Sequence, residues 1–156
     1  MKPIFIHEVG PRDGLQGETL TVPLEVKIRW VEELFSSGVD IIQLGSFVHP
    51  EKVPQMADTD ELFHHVVHSK PKHVTLAGLV LNEKGLERGF ACGVEMFCMG
   101  VSASETHSLK NTGMTTREAL RRIISMASLA MSAGRKVQVS VQSAFGCGYE
   151  GPVAQT

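Results

Sequence analysis

Apolar residues along the chain alternate between two spacings. Short runs that are mostly apolar, near Pro3 to Val9, Val39 to Leu44, His73 to Val80, Val94 to Val101 and Lys136 to Val141, predict five strands. Between them the apolar positions recur every three or four residues, the spacing that gives a helix one buried stripe. Val26, Trp30, Val31 and Leu34 follow this pattern in a helix opened by Pro23, running to about Ser37 and stopped at Gly38. Leu62, Phe63 and Val66 do so in a helix that begins near Asp58 or Thr59. Asn82 is placed to cap a short helix through Phe90, with Gly93 as punctuation. Thr115 and Glu118 have capping-box spacing at the start of a helix to Ala133, ended by Gly134.

Roughly five strands and four helices thus alternate, each crossover long enough for a parallel connection. The expected fold class is α/β, with parallel strands and right-handed crossovers. Two architectures fit: a doubly wound open sheet, or part of an eight-stranded β/α barrel, whose complete form typically needs ~250 residues. In both, ligands collect at the carboxyl ends of the strands.

Composition narrows the function classes. The 156 residues are 42% hydrophobic with a formal net charge of -2, as expected for one globular domain over residues 1–156. No basic run interleaves with aromatics and no apolar stretch approaches the ~20 residues that span a bilayer, so neither nucleic acid nor membrane is an expected partner. The first residues lack a charged-then-apolar signal segment, and a cytoplasmic location is expected. Cys92, Cys98 and Cys147 are odd in number and lack zinc-ribbon spacing, which points to reduced thiols. His64 and His68 stand four apart on an expected helix but lack the glutamate of a zinc-protease pair, so a solvated polar face is the better reading. Gly146-Cys147-Gly148-Tyr149-Glu150-Gly151 matches a dinucleotide-binding turn in letters, yet Pro152 follows at once where a helix should start. A glycine-rich loop facing the site is expected there instead.

Polar residues cluster where the expected strands end. Glu8, Arg12, Asp13 and Gln16 follow the first strand; Gln43, Ser46 and His49 lie at or after the second; Asn82 follows the third; Ser102, Ser104, Glu105, His107 and Lys110 follow the fourth. A carboxylate such as Asp13 is a hard ligand suited to Mg²⁺ or Mn²⁺, and a guanidinium such as Arg12 holds an oxyanion in a fixed fork. On the dipeptide alone, an Arg-Asp pair that merely staples the turn is the better reading.

Three stretches, EVGPRDGLQ, SFVHPEKVPQMAD and GCGYEG in that order, make the chain resemble the 3-hydroxy-3-methylglutaryl-CoA lyases. These sit within a wider group of metal-dependent aldol and Claisen enzymes with an Arg-Asp-Gly or Arg-Glu-Gly turn after the first strand. The resemblance covers nearly the whole chain and implies the first half of a TIM-type β/α barrel, incomplete in this chain. By it, Asp13 would ligate a divalent cation, Mg²⁺ or Mn²⁺, and Arg12 would be the catalytic residue that stabilises an enolate. Glu8, Gln16, Gln43 and Ser46 would bind substrate. The implied reaction is retro-aldol cleavage of a 3-hydroxyacyl-CoA to an acyl-CoA and a keto acid.

The departures are specific. Gln43 stands where these lyases carry a glutamate, and Gly148 where they carry a proline. Their His-x-His metal pair and catalytic cysteine loop belong to the second half. Ser104-Glu105-Thr106-His107, shortly before Arg117-Glu118-Ala119-Leu120, is similar to isopropylmalate-type synthases, which would run the chemistry toward Claisen condensation. A non-catalytic half-barrel that binds a partner or a CoA-like ligand is the third reading. A half-barrel exposes two strand edges, so the expected partner is a second copy or a complementary C-terminal half-barrel, without which the chain is expected to be inactive.

Overall fold

A computed structural model describes residues 3–154. Five strands, β1 (His7–Glu8), β2 (Ile41–Ser46), β3 (Thr75–Leu79), β4 (Met96–Ser102) and β5 (Lys136–Gln142), form one parallel sheet. Their order across the sheet is their order in the chain. A doubly wound sheet reverses direction at a switch point and carries helices on both faces. Strictly sequential parallel strands with crossovers of one hand put every helix on one face and leave the other to curl inward, as in a β/α barrel.

The helices are α1 (Leu24–Leu34), α2 (Thr59–Val66), α3 (Glu83–Ala91), α4 (Glu105–Thr112) and α5 (Thr116–Ser132). The apolar stripes of α1, α2, α3 and α5 meet the outer face of the sheet in one core, where Phe47, Phe63 and Phe97 are fully buried with Ile42, Leu44, Leu76, Leu86 and Met126. Phe47 and Phe63 pack with ring centroids 5.4 Å apart. The expected caps form: Gly85 N–H donates to Asn82 Oδ1 at 2.8 Å, and Thr115 and Glu118 make both bonds of the capping box.

Three expectations are corrected. The first strand is only His7–Glu8 rather than Pro3 to Val9, because β1 is an edge with one neighbour and Ile4, Phe5 and Ile6 stand exposed. The first helix ends at Leu34, and the chain turns through residues 35–38 to Gly38 at φ 86°. Helix α4 was not expected, since it has too few apolar residues to show a stripe. Its ends nonetheless carry local signals: Ser104 Oγ accepts from His107 N–H at 3.1 Å, and Gly113 closes the helix in the left-handed region at φ 73°. The described residues form five α-helices rather than four.

Gly85 shows how tightly α3 meets the sheet. A Cβ there would lie 2.6 Å from the backbone carbonyl oxygen of Phe47, which cannot rotate aside. Gly85→Ala is expected to destabilise the fold by about 2 kcal/mol, the usual scale of an overpacked core, read as a lower urea midpoint at unchanged slope.

Both flanks of the half-barrel are open. Val139 and Val141 on the outer side of β5 are exposed beside Leu120 and Ile124 of α5, and an apolar groove of about 430 Å³ runs along Val101, Leu120 and Val141. At the other flank a groove of about 520 Å³ lies between Pro11, Trp30 and Leu34.

Candidate active site at the carboxyl ends of the strands

Directly after β1 the chain makes a five-residue π-helical turn, Gly10–Gly14. The Val9 carbonyl accepts from both Arg12 N–H (3.0 Å) and Asp13 N–H (2.7 Å). Pro11 occupies the second position, within the first turn, where a missing N–H costs nothing, and is buried. Gly10 N–H donates to Glu8 Oε1 at 2.6 Å, so the Glu8 carboxylate fastens the start of the turn. Wide turns of this kind recur at functional sites because they re-aim successive side chains. Here the turn throws Arg12 back over the sheet, where its Nε–H donates to Gln43 Oε1 at 2.6 Å. Arg12 Nη1 also pairs with Asp13 Oδ1 at 2.6 Å, although the Asp13 side chain is 66% exposed.

Arg12 and Gln43 close one end of a cavity of about 250 Å³ on the inner face of the sheet, lined also by His7, Cys98, Gln138, Ser140 and Gln142. Three of these lie on β5, whose positions 138, 140 and 142 present polar side chains to this face while Val137, Val139 and Val141 take the other. Burial first, and then the Arg12 charge, push the His7 pKa down, against smaller opposing contributions from Gln138 and Glu8. A histidine kept neutral in the fold takes up its proton more readily when unfolded. Stability is therefore expected to fall as pH drops through the range just below the ordinary histidine value, and His7→Gln should flatten that dependence in urea titrations at stepped pH. Burial raises the Cys98 pKa, with Gln43 and Arg12 pulling weakly the other way. Cys98 is therefore a neutral thiol at pH 7.

The remaining residues named from the sequence are distributed around this centre. Gln16 lines a neighbouring cavity of about 350 Å³ with His49, Lys52, Asn82, Asn111 and Arg122, and Leu79 forms part of both cavities. Ser46 is fully buried at the end of β2 and its Oγ has no hydrogen-bond partner. Glu8 borders the outer groove beside Trp30 rather than the cavity of Arg12. The structure thus brings Arg12, Asp13 and Gln43 together and leaves Glu8, Gln16 and Ser46 around them. The polar row of β5 went unread in the sequence, although strict alternation in KVQVSVQ carried the signal.

Two other sequence features resolve differently. Gly146–Cys147 (β6) and Gly151–Pro152 (β7) pair as an antiparallel hairpin, which rules out the strand-turn-helix of a dinucleotide site. Glu150 Oε1 accepts from Thr106 N–H at 2.6 Å, and the Lys110 ammonium sits 3.8 Å from the Tyr149 ring centroid, so the hairpin latches onto α4. His68 lies beyond the end of α2 at Val66, so it does not share a helical face with His64. Among the described residues no three His, Cys, Asp or Glu side chains gather as a cation site. Asp13 offers one hard oxygen donor, and the described residues do not complete a metal centre around it.

Sequential parallel strands, with the charged turn at their carboxyl ends, define an enzyme-type β/α barrel of which half is present. A family model described as HMGL-like matches residues 3–153, and the chain belongs to that family. It is 38% identical over 149 residues to the hydroxymethylglutaryl-CoA lyase of Bacillus subtilis, covering 96% of this chain and 49% of that protein. It is 37% identical to the 3-hydroxy-3-isohexenylglutaryl-CoA/hydroxymethylglutaryl-CoA lyase of Pseudomonas aeruginosa, covering 97% and 50%. Among solved structures, the Bacillus subtilis HMG-CoA lyase superposes with a TM-score of 0.93 at 37% identity, covering 99% of this chain and 51% of that one. An Acinetobacter baumannii HMG-CoA lyase, solved with coenzyme A and 3-methylmalate, gives 0.88 at 31% identity over 96% and 48%. The chain spans about half the length of the curated relatives it matches.

Proposed function

We propose that this chain forms the N-terminal half of an acyl-CoA carbon-carbon lyase of the hydroxymethylglutaryl-CoA lyase type, completed by a C-terminal half-barrel. The observation that carries the reading is Arg12, held between Gln43 and Asp13 at the carboxyl end of β1 in a chain nearly two-fifths identical to such lyases. The two uncovered apolar flanks, along Val139, Val141 and Leu120 and along Trp30 and Leu34, support the need for a complementary half.

The substrate class is a 3-hydroxyacyl-CoA, cleaved to an acyl-CoA and a keto acid. As the 3-hydroxyl gives up its proton and becomes the ketone of the keto acid, the breaking carbon-carbon bond leaves its electron pair on the acyl-CoA fragment, delocalised onto the thioester oxygen until that enolate takes up a proton at carbon. Arg12 would neutralise that oxyanion; its Nε–H is committed to Gln43 and its Nη1 to Asp13, which leaves Nη2 and the net charge facing the site. Asp13 would donate one carboxylate to Mg²⁺ or Mn²⁺, whose other ligands come from outside this chain; such an ion, when bound, would polarise substrate oxygens. Gln43 holds Arg12 in place, and Gln16, Ser46 and Glu8 would shape the approach. A cytoplasmic location belongs to the same reading.

The test is 3-hydroxyacyl-CoA cleavage by the chain reassembled with the C-terminal half of a relative in Mg²⁺ buffer, followed through formation of the keto acid. Cleavage that disappears in Asp13→Ala supports the reading. A correctly assembled barrel that releases no CoA product, or one that only condenses acetyl-CoA with keto acids, overturns it.

A further inference from the structure

The loop that leaves β2 carries two basic side chains, His49 and Lys52, onto the wall of the cavity of about 350 Å³. Arg122 is the third ionisable residue on that wall; no carboxylate lines it, and amide, hydroxyl and apolar side chains make up the rest. Arg122 is already paired with Glu83 at 3.2 Å, whereas among the described residues Lys52 has no ion-pair partner. The wall therefore suits an anionic group, and Lys52 is the cation left to meet it. We infer that Arg88, on α3, is a positioning residue for that anion: it fixes the first residues of the loop and through them sets where Lys52 stands.

Each link is a hydrogen bond. Arg88 Nη1–H donates to the Val48 carbonyl at 3.1 Å, across 40 positions of the chain. One residue on, the His49 carbonyl accepts from Lys52 N–H at 3.0 Å and from Val53 N–H at 3.3 Å, so the turn that bears Lys52 hangs on the backbone that Arg88 holds. The guanidinium itself has little freedom. Its Nε–H and Nη2–H donate to Asp60 Oδ2 and Oδ1 of α2 at 3.0 and 2.7 Å, and its Cζ lies 5.5 Å from the centroid of the Phe47 ring. Phe47 is anchored in turn, since its N–H donates to the Leu79 carbonyl at 2.9 Å and its own carbonyl is pressed against Gly85 of α3. The far end of the loop is tied by Lys27 to the Gln55 carbonyl. His49 and Lys52 thus sit in a short span held at both ends.

Arg88 holds rather than attracts. It lines a separate cavity of about 300 Å³ with Lys84, and Asp60 meets its charge. What the loop needs from it is the planar fork, which serves the carboxylate and the Val48 carbonyl from separate nitrogens; an ammonium in its place keeps the charge and loses that geometry. The inference rests on the lyase reading for what the anion is: a substrate cleaved to a keto acid carries a carboxylate, and 3-hydroxy-3-methylglutarate is its small probe.

The measurement is NMR titration of the full chain with that probe, followed through the His49 ring signals. Lys52→Met and Arg88→Met are each expected to weaken binding about fivefold, the scale of one hydrogen bond. The double variant should bind no more weakly than either single one, because both remove the same contact. A merely structural Arg88 would lower the urea midpoint without this coupling to Lys52. Arg88→Lys retains the charge beside Asp60 and should weaken binding as much as methionine does, which keeps the test available if Arg88→Met fails to fold. Parental affinity in Arg88→Lys overturns the inference, as do single effects that multiply in the double variant, or a parent chain that leaves the probe unbound. An assembled barrel that cleaves no acyl-CoA while this coupling persists defeats the lyase reading alone; cleavage without the coupling defeats the role of Arg88 alone.

Discussion

Arg12→Met in the reassembled barrel is expected to lower kcat by ~10²–10³-fold, the usual cost of removing one preorganised oxyanion donor. Only groups that bind the transition state better than the ground state raise kcat, and the charge of Arg12 meets its anion only as the carbon-carbon bond breaks. KM should change far less. Arg12→Lys should fail to rescue the rate, because an ammonium lacks the planar fork that satisfies Gln43 and Asp13 from two separate nitrogens. The variant also leaves the buried Gln43 oxygen without its donor, so the urea midpoint should fall by the equivalent of about 1–2 kcal/mol. Steady-state kinetics alongside urea unfolding separates the two effects. A methionine variant with near-parental kcat would show that Arg12 only staples its turn.

Lys27→Ala is expected to be the most damaging single change to stability, at about 3–5 kcal/mol, as for breaking other buried ion pairs. Lys27 belongs to α1 but is only 3% exposed, and its Nζ reaches Asp58 Oδ1 at 2.6 Å and the Gln55 carbonyl at 2.7 Å. Both partners lie in the stretch SFVHPEKVPQMAD, between β2 and α2. That loop places His49, Lys52 and Val53 along the larger cavity, and Gln55 extends the tie by donating to the Glu18 carbonyl at 2.6 Å. The carboxylate of this motif thus serves architecture rather than chemistry. Lys27→Met should be milder than Lys27→Ala, since it keeps the buried volume and leaves Asp58 some access to water. Urea unfolding measures both. A loss below 1 kcal/mol for the alanine variant would mean that water replaces the ammonium in the folded chain.

Legibility from sequence followed the range over which each feature is decided. The Asn82 cap and the Thr115–Glu118 box formed as read, because each is settled within four residues. The charged turn after β1 stood out for the same reason, since Gly10, Pro11 and Gly14 break the strand on the spot. Helix α4 was missed because it is mostly polar and is held by its own caps and by the hairpin that follows β5, 44 residues away at the Thr106–Glu150 bond. The length of β1 was overestimated because apolar spacing cannot tell an edge strand with one neighbour from a central strand.

The primary structure alone thus placed the alternation of strands and helices, the caps, and the collection of polar residues at strand ends, all of which depend on near neighbours. The inner polar row depends on contacts between residues far apart: Arg12 meets Gln43 across 31 positions, and Cys98 meets Gln138 across 40. A strand of period two has two faces, and its letters do not say which one will turn inward. That choice is made when parallel strands in sequential order curl with their helices on one side, burying Val137 against the core and leaving Gln138, Ser140 and Gln142 to line the cavity beneath Arg12.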